Sequence, residues 1–249
     1  MTNILLTLLL FLSFNLIGQE ALTKSKIPIH INGKKILKNY FQSIGGEKEL
    51  LEVETLVKKF TIKIDGTANI NMTGKVLYKT PNLYYSQLQV EKIGEFQSTK
   101  YNGNTCTVTR QQNNNQIETE IEGELLQEKM KDFYPFPLLI LKNNTSFTAL
   151  EKHTTEKNTL YKVYVDDFND KDSLFLFFDT QTNYLIKRQE INSRTRKTTE
   201  YKDYRKINNI MFPFMEISTI EMNGDTVQKS YNQITEIIIN QPIENSSFE

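Results

Sequence analysis

Phe60-Thr61-Ile62-Lys63-Ile64-Asp65-Gly66, followed by Ile70, Met72, Val76 and Tyr78 and stopped by Pro81-Asn82, decides the fold class. Apolar side chains at alternate positions turn one face of each segment to a core and the other to water, as in half-buried antiparallel strands. Asp65-Gly66 is a strong two-residue hairpin signal, because glycine takes positive φ without steric cost. Tyr84, Leu88 and Val90 continue the alternation in a third strand, and Tyr101-Asn102-Gly103-Asn104 marks a tight turn before residues 105–110. These segments form a meander.

Toward the C-terminus the Gln- and Asn-rich residues 111–116 read as a surface loop that breaks the meander. Residues 120–133 then carry Ile121, Leu125, Leu126, Met130 and Phe133 at roughly helical spacing. Pro135 and Pro137 end that pattern, since a residue before proline avoids the helical region. Strands resume with Tyr161, Val163 and Val165, an acidic turn over residues 166–172, and further strands at 174–178, 184–191, 198–204, 210–220 and 227–239. Asn223-Gly224-Asp225 is another hairpin signal. Toward the N-terminus, Ile36, Leu37, Tyr40, Phe41 and Ile44 make a helical stripe that Gly45-Gly46 stops. The expectation is a mainly β, α+β protein: a strongly curved antiparallel sheet or half-open β-barrel of about ten strands, covered by helices.

Residues 4–17 are almost continuously apolar and uncharged, yet shorter than the roughly 20 residues that span a bilayer. They read as the hydrophobic part of a signal peptide at residues 1–18, followed by one domain at 19–249. A lipid anchor would need a cysteine directly after the leader, and the chain's one cysteine is Cys106. The expected product is therefore exported, soluble, unanchored and monomeric, and stable through its core rather than through a disulfide.

Lys plus Arg and Asp plus Glu are 30 each, which leaves no basic footprint for nucleic acid. The basic run Arg194-Thr195-Arg196-Lys197 reads as a solvated hairpin tip. Of the two histidines, His30 precedes the first helix and His153 falls in a polar loop, neither with a second ligand at metal spacing. Cys106 has no histidine base in its vicinity and reads as a buried, inert thiol on a strand. Asp166, Asp167, Asp170 and Asp172 lack the glycine and terminal glutamate of a helix-loop-helix calcium site. No phosphate-cradling glycine loop and no Gly-x-Ser-x-Gly turn is present. No enzyme activity, metal or cofactor is expected.

Several stretches resemble the lipoprotein-localisation (LolA/LolB-like) fold family of Gram-negative envelopes, in particular its outer membrane lipoprotein-sorting branch. They are Tyr40-Phe41-Gln42-Ser43-Ile44-Gly45-Gly46 with Leu50 and Leu56, Lys79-Thr80-Pro81-Asn82, Phe178-Asp179-Thr180-Gln181-Thr182-Asn183-Tyr184-Leu185-Ile186, Asp203-Tyr204-Arg205-Lys206-Ile207-Asn208-Asn209-Ile210-Met211-Phe212-Pro213, and Ile239-Asn240-Gln241-Pro242-Ile243 through Phe248. Asn209 stands where related sequences often have Gly, and Asn tolerates the left-handed backbone such a position would need. Thr105-Cys106-Thr107 stands where an aromatic is common.

The resemblance implies a half-barrel whose concave face is a hydrophobic cavity for acyl chains, in a periplasmic carrier with transient membrane contact. The candidate liners are Phe60, Ile62, Ile70, Met72, Val76, Tyr84 and Leu88 on the first meander and Leu125, Leu126, Met130 and Phe133 on the inserted helix. The expected partners are lipid or lipoprotein acyl chains and an envelope protein. A docking module of the same fold without a transported lipid is the alternative.

Overall fold

Helix α1 (Gly33–Ser43) begins where the Asn32 side chain accepts a hydrogen bond from the Lys35 amide at 2.8 Å, an N-cap that satisfies one of the helix's orphan donors. Its Ile36, Leu37, Phe41 and the following Ile44 are buried in the core. Gly45 and Gly46 have φ of 132° and 89° and end the helix, with the Gly46 amide donating to the Phe41 carbonyl at 2.8 Å. The structure is a computed structural model that describes residues 31–65, 70–91, 94–112, 115–154, 159–166 and 172–249. A short helix, α2 (Glu47–Leu51), follows α1.

The first meander comprises β1 (Thr55–Asp65), β2 (Ile70–Lys79), β3 (Leu83–Val90), β4 (Gly94–Tyr101), β5 (Cys106–Gln112) and β6 (Asn115–Ile121). Two helices, α3 (Gly123–Phe133) and α4 (Pro137–Asn144), separate it from the second meander. That meander is β7 (Phe147–Thr154), β8 (Thr159–Val165), β9 (Ser173–Asp179), β10 (Leu185–Ile191), β11 (Thr195–Ile207), β12 (Ile210–Met222) and β13 (Asp225–Ile239). Every neighbouring pair in the sheet is consecutive in sequence except one: β1 lies beside β13, antiparallel, from Leu56↔Ile239 to Asp65↔Lys229. That seam joins the two meanders into one open antiparallel sheet of 13 strands among the described residues, with β6 and β7 at its edges.

Short polar devices secure the ends of strands. The buried Asp179 side chain accepts from the amides of Gln181 (3.0 Å) and Thr182 (2.7 Å) and from the Thr182 hydroxyl (3.0 Å), building the turn into β10. At the seam, Asn240 Oδ1 accepts from the Glu54 amide at 2.8 Å while its Nδ2 donates to the Glu52 carbonyl at 3.1 Å. Asn223 and Gly224, at φ 54° and 94°, turn β12 into β13 as their sequence indicated.

Several expectations need correction. The sheet has 13 strands rather than about ten, because β4, β6 and β7 show no clean alternation. Four of the residues expected in a loop that breaks the meander lie on strands: Gln111 and Gln112 belong to β5 and pair with Gln116 and Asn115 of β6. The inserted helix starts at Gly123, and Ile121 belongs to β6. The inserted helix ends at Phe133 ahead of the prolines, as expected, but strands do not resume directly after them: Pro137 opens a further helix, α4, where proline's missing N–H costs nothing. His153 lies on β7, not in a loop. The left-handed residue of the β11–β12 turn is Asn208 (φ 52°), the neighbour of Asn209. The leader, His30, Gly66, Asp167 and Asp170 lie outside the described residues.

Candidate functional site

A cavity of about 270 Å³ lies between the sheet and the helices. Tyr40 and Phe41 of α1 with the following Ile44 form one wall, and Phe133 through Leu138 cover the opposite side. The sheet contributes residues from β1, β2 and β3 and from β9 through β13. In the order β3-β2-β1-β13-β12-β11-β10-β9 those strands span seven spacings of about 4.8 Å, roughly 34 Å if flat. Tyr84 of β3 and Leu176 of β9 line the same cavity, so the sheet bends around it.

The covering segment is Phe133-Tyr134-Pro135-Phe136-Pro137, which links α3 to α4. Its aromatics pack pairwise against the sheet: Phe133 stacks on Tyr84 with centroids 4.3 Å apart, Tyr134 meets Tyr78 edge-on at 5.5 Å, and Phe136 lies 5.7 Å from Phe212. Proline cannot extend a helix here, so the stretch runs irregularly over the concave face and its rings find partners one by one.

Polar groups in the wall are mostly tyrosine hydroxyls. Burial pushes the phenols of Tyr40, Tyr201 and Tyr204 far above their ordinary value, so they remain neutral at any physiological pH. Tyr204 donates to the Leu185 carbonyl at 2.6 Å and stacks on Tyr184. Among the described residues four further ionisable groups reach the cavity: Lys58, Asp132, Arg188 and Glu216. Arg188 lies 3.3 Å from Glu190. Burial, then Glu190, raises the Asp132 carboxyl above the usual carboxylate range against the opposing pull of Arg188, Lys197 and Lys129. Glu216 accepts from Asn232 at 3.2 Å.

The residues expected at the site divide. Val76, Tyr84 and Phe133 line the cavity. Phe60, Ile62, Ile70, Met72 and Leu88 lie on the same face of the sheet as Val76, as the pairs Ile64↔Ile70, Ile62↔Met72, Phe60↔Gly74 and Gly74↔Leu88 require, but further along the strands. Phe60 is buried with its ring across Gly74, Ile62 and Leu88 are partly buried against the core, and Ile70 is exposed. Leu126 and Met130 pack around Tyr101, Cys106 and Phe133, whereas Leu125 is 51 % exposed. Cys106 is fully buried, and burial raises its thiol.

The strand-by-strand reading did not place Tyr40, Phe41, Tyr201, Tyr204, Phe212, Ile234 and Ile237 at the cavity. The legible signal was the aromatic and proline run at 133–137, too rich in rings for a solvated linker and too rich in proline for a regular element.

No protein-family model matches the chain, and no curated protein matches it in sequence. Solved structures do match. A LolA superfamily protein from Nitrosomonas europaea superposes with a TM-score of 0.60 at 10% identity, over 88% of this chain and 98% of that one. A domain assigned to the outer membrane lipoprotein-sorting proteins, from Vibrio parahaemolyticus, does so at 0.59 and 9%, over 87% and 95%. A DUF1329 family protein from Desulfovibrio piger gives 0.59 and 7%, over 87% and 97%. The chain therefore has the LolA-like fold, as its short stretches of resemblance implied. No described helix is long and apolar enough to cross a membrane.

Proposed function

We propose that the protein is an exported, non-enzymatic carrier of lipid acyl chains in a Gram-negative envelope. The observation that carries the reading is the cavity, walled by apolar and aromatic side chains and closed by an irregular aromatic segment instead of a continuous helix. An acyl chain needs no catalytic apparatus, since each buried methylene contributes about 0.8 kcal/mol. The cavity volume of about 270 Å³ lies just below the roughly 300–1,000 Å³ of small-ligand sites. A long chain then enters by displacing Tyr134 and Phe136 and runs on along Met72, Ile62 and Leu88. Tyrosine and phenylalanine rings refill the space on release, which keeps the empty state from being a dry void. The uncharged apolar stretch at residues 4–17 supports export.

Organic extraction of the protein purified from its native envelope, followed by mass spectrometry, tests this reading. Fatty-acyl lipid in near-stoichiometric amount is expected, together with saturable uptake of a fluorescent alkyl probe by the stripped protein. Absence of both overturns the carrier and leaves the protein-docking module.

A further inference from the structure

Within that carrier reading, on which this inference rests, the wall chemistry selects among amphiphiles. Two cations line the cavity among the described residues, and one of them, Arg188, lies 3.3 Å from Glu190. Lys58 is half-buried on β1, and among the described residues no carboxylate pairs with it. Its nearest aromatic contact is the Phe60 ring, whose centroid is 5.8 Å from Nζ, a weak cation–π distance.

The ladder shows why no acidic wall group serves it. Arg188 aligns through Thr199, Ser218 and Ser230 with Ile64, six residues along β1 from Lys58 and so roughly 20 Å away along the strand. Glu216 aligns through Asn232 with Ile62, four residues or roughly 13 Å along. The charges that act on the Asp132 carboxyl are those of Arg188, Glu190, Lys197 and Lys129, and Lys58 is not among them. Directly opposite Lys58 stand Val76 and Ile237, both cavity-lining and apolar. The charges thus segregate: a mutually compensated group at one end, and a lone ammonium among aliphatic side chains at the other. An ammonium on such a wall is unfavourable without a counter-charge.

We propose that Lys58 is the headgroup site for a single-chain anionic amphiphile, its carboxylate or phosphate paired with Nζ and its alkyl chain lying against Val76, Ile234 and Ile237. The carboxylate of a free fatty acid and the phosphate of a lysophospholipid share this chemistry.

The test uses the full exported chain, stripped of lipid, at neutral pH, with displacement of the uncharged probe N-phenylnaphthylamine as readout. The competitors are palmitate, palmitoyl lysophosphatidic acid, hexadecanol and hexadecyltrimethylammonium. Both anions are expected to compete at least about tenfold more tightly than hexadecanol, the fold-change of one charge-assisted hydrogen bond, and the cation least. Lys58→Met is expected to bring palmitate down to the hexadecanol level, and Lys58→Arg to keep the preference. Palmitate ahead of the lysophospholipid identifies a carboxylate ligand; the reverse order identifies a phosphate. Equal competition by palmitate and hexadecanol in the wild type, or a preference that survives Lys58→Met, overturns the assignment and leaves the carrier standing. Failure of all four to displace the probe overturns the carrier and this site with it. If Lys58→Met does not fold by circular dichroism, the wild type and Lys58→Arg decide through the anion-to-alcohol ratio.

Discussion

Two acidic side chains show how differently one residue type serves this protein. Asp179 accepts three hydrogen bonds within its own turn, two of them from backbone amides. Asp179→Ala is expected to cost about 1–3 kcal/mol in denaturant unfolding, and Asp179→Asn less, because an amide oxygen still accepts. Asp132 stands at the mouth of the cavity, exposed on one side, and partial desolvation there disfavours its charged form and raises its carboxyl. A raised folded-state value means that its favourable contribution is full below the unfolded carboxylate range and is lost as pH rises through the folded value. Asp132 is also an exposed residue, so solvent screens much of the effect, and Asp132→Asn is expected to stabilise the protein only slightly near neutral pH, with the gain vanishing below about pH 4. Unfolding midpoints measured across that range check it; a gain constant with pH contradicts the argument.

At the scale of elements, α1 and β7 approach so closely that a Cβ on Gly33 would stand 2.0 Å from the Phe147 carbonyl oxygen. Gly33→Ala forces backbone apart at a core contact and is expected to cost about 1–3 kcal/mol, read as a lowered melting temperature. On β3, Leu88 shares the cavity-side face with Tyr84 while standing further along the strand. Leu88→Lys is expected to leave the domain folded and to weaken competition by a long alkyl chain at least about tenfold, since an ammonium there opposes dry contact. Unchanged binding would remove Leu88 from the chain's path, and unfolding would make it packing alone. One of the elements that escaped a reading of alternation, β6, did so for a physical reason. β6 is exposed on both sides along nearly its whole length, and an edge strand without a buried face carries no period to read.

For the molecule as a whole, the seam between β1 and β13 is decisive, because among the described residues it is the one strand pairing between the two meanders. Both halves share one core, in which Phe41, Phe60, Leu176 and Ile234 belong to the same buried cluster. A single unfolding transition is expected, coincident by circular dichroism and tyrosine fluorescence. Separate transitions for the two meanders would show that the seam does not couple them. The cavity depends on the same closure, since its walls are drawn from eight strands and three helices.

What the amino-acid sequence determined by itself was local: the period-two strands, the stops at Gly45-Gly46 and Asn223-Gly224, and the helical stripe from Ile36 to Ile44. It also placed seven strand residues on one face, because alternation in β1 carries through paired registers into β2 and β3. Tertiary structure decided which part of that face is enclosed. Enclosure depends on where the sheet bends and where the aromatic segment from Phe133 to Pro137 lands, and neither is encoded in the period of any one strand. Tyr40, Tyr201 and Ile237 meet across the cavity though far apart in the chain, because the β1–β13 pairing brings residues more than 150 positions apart into register.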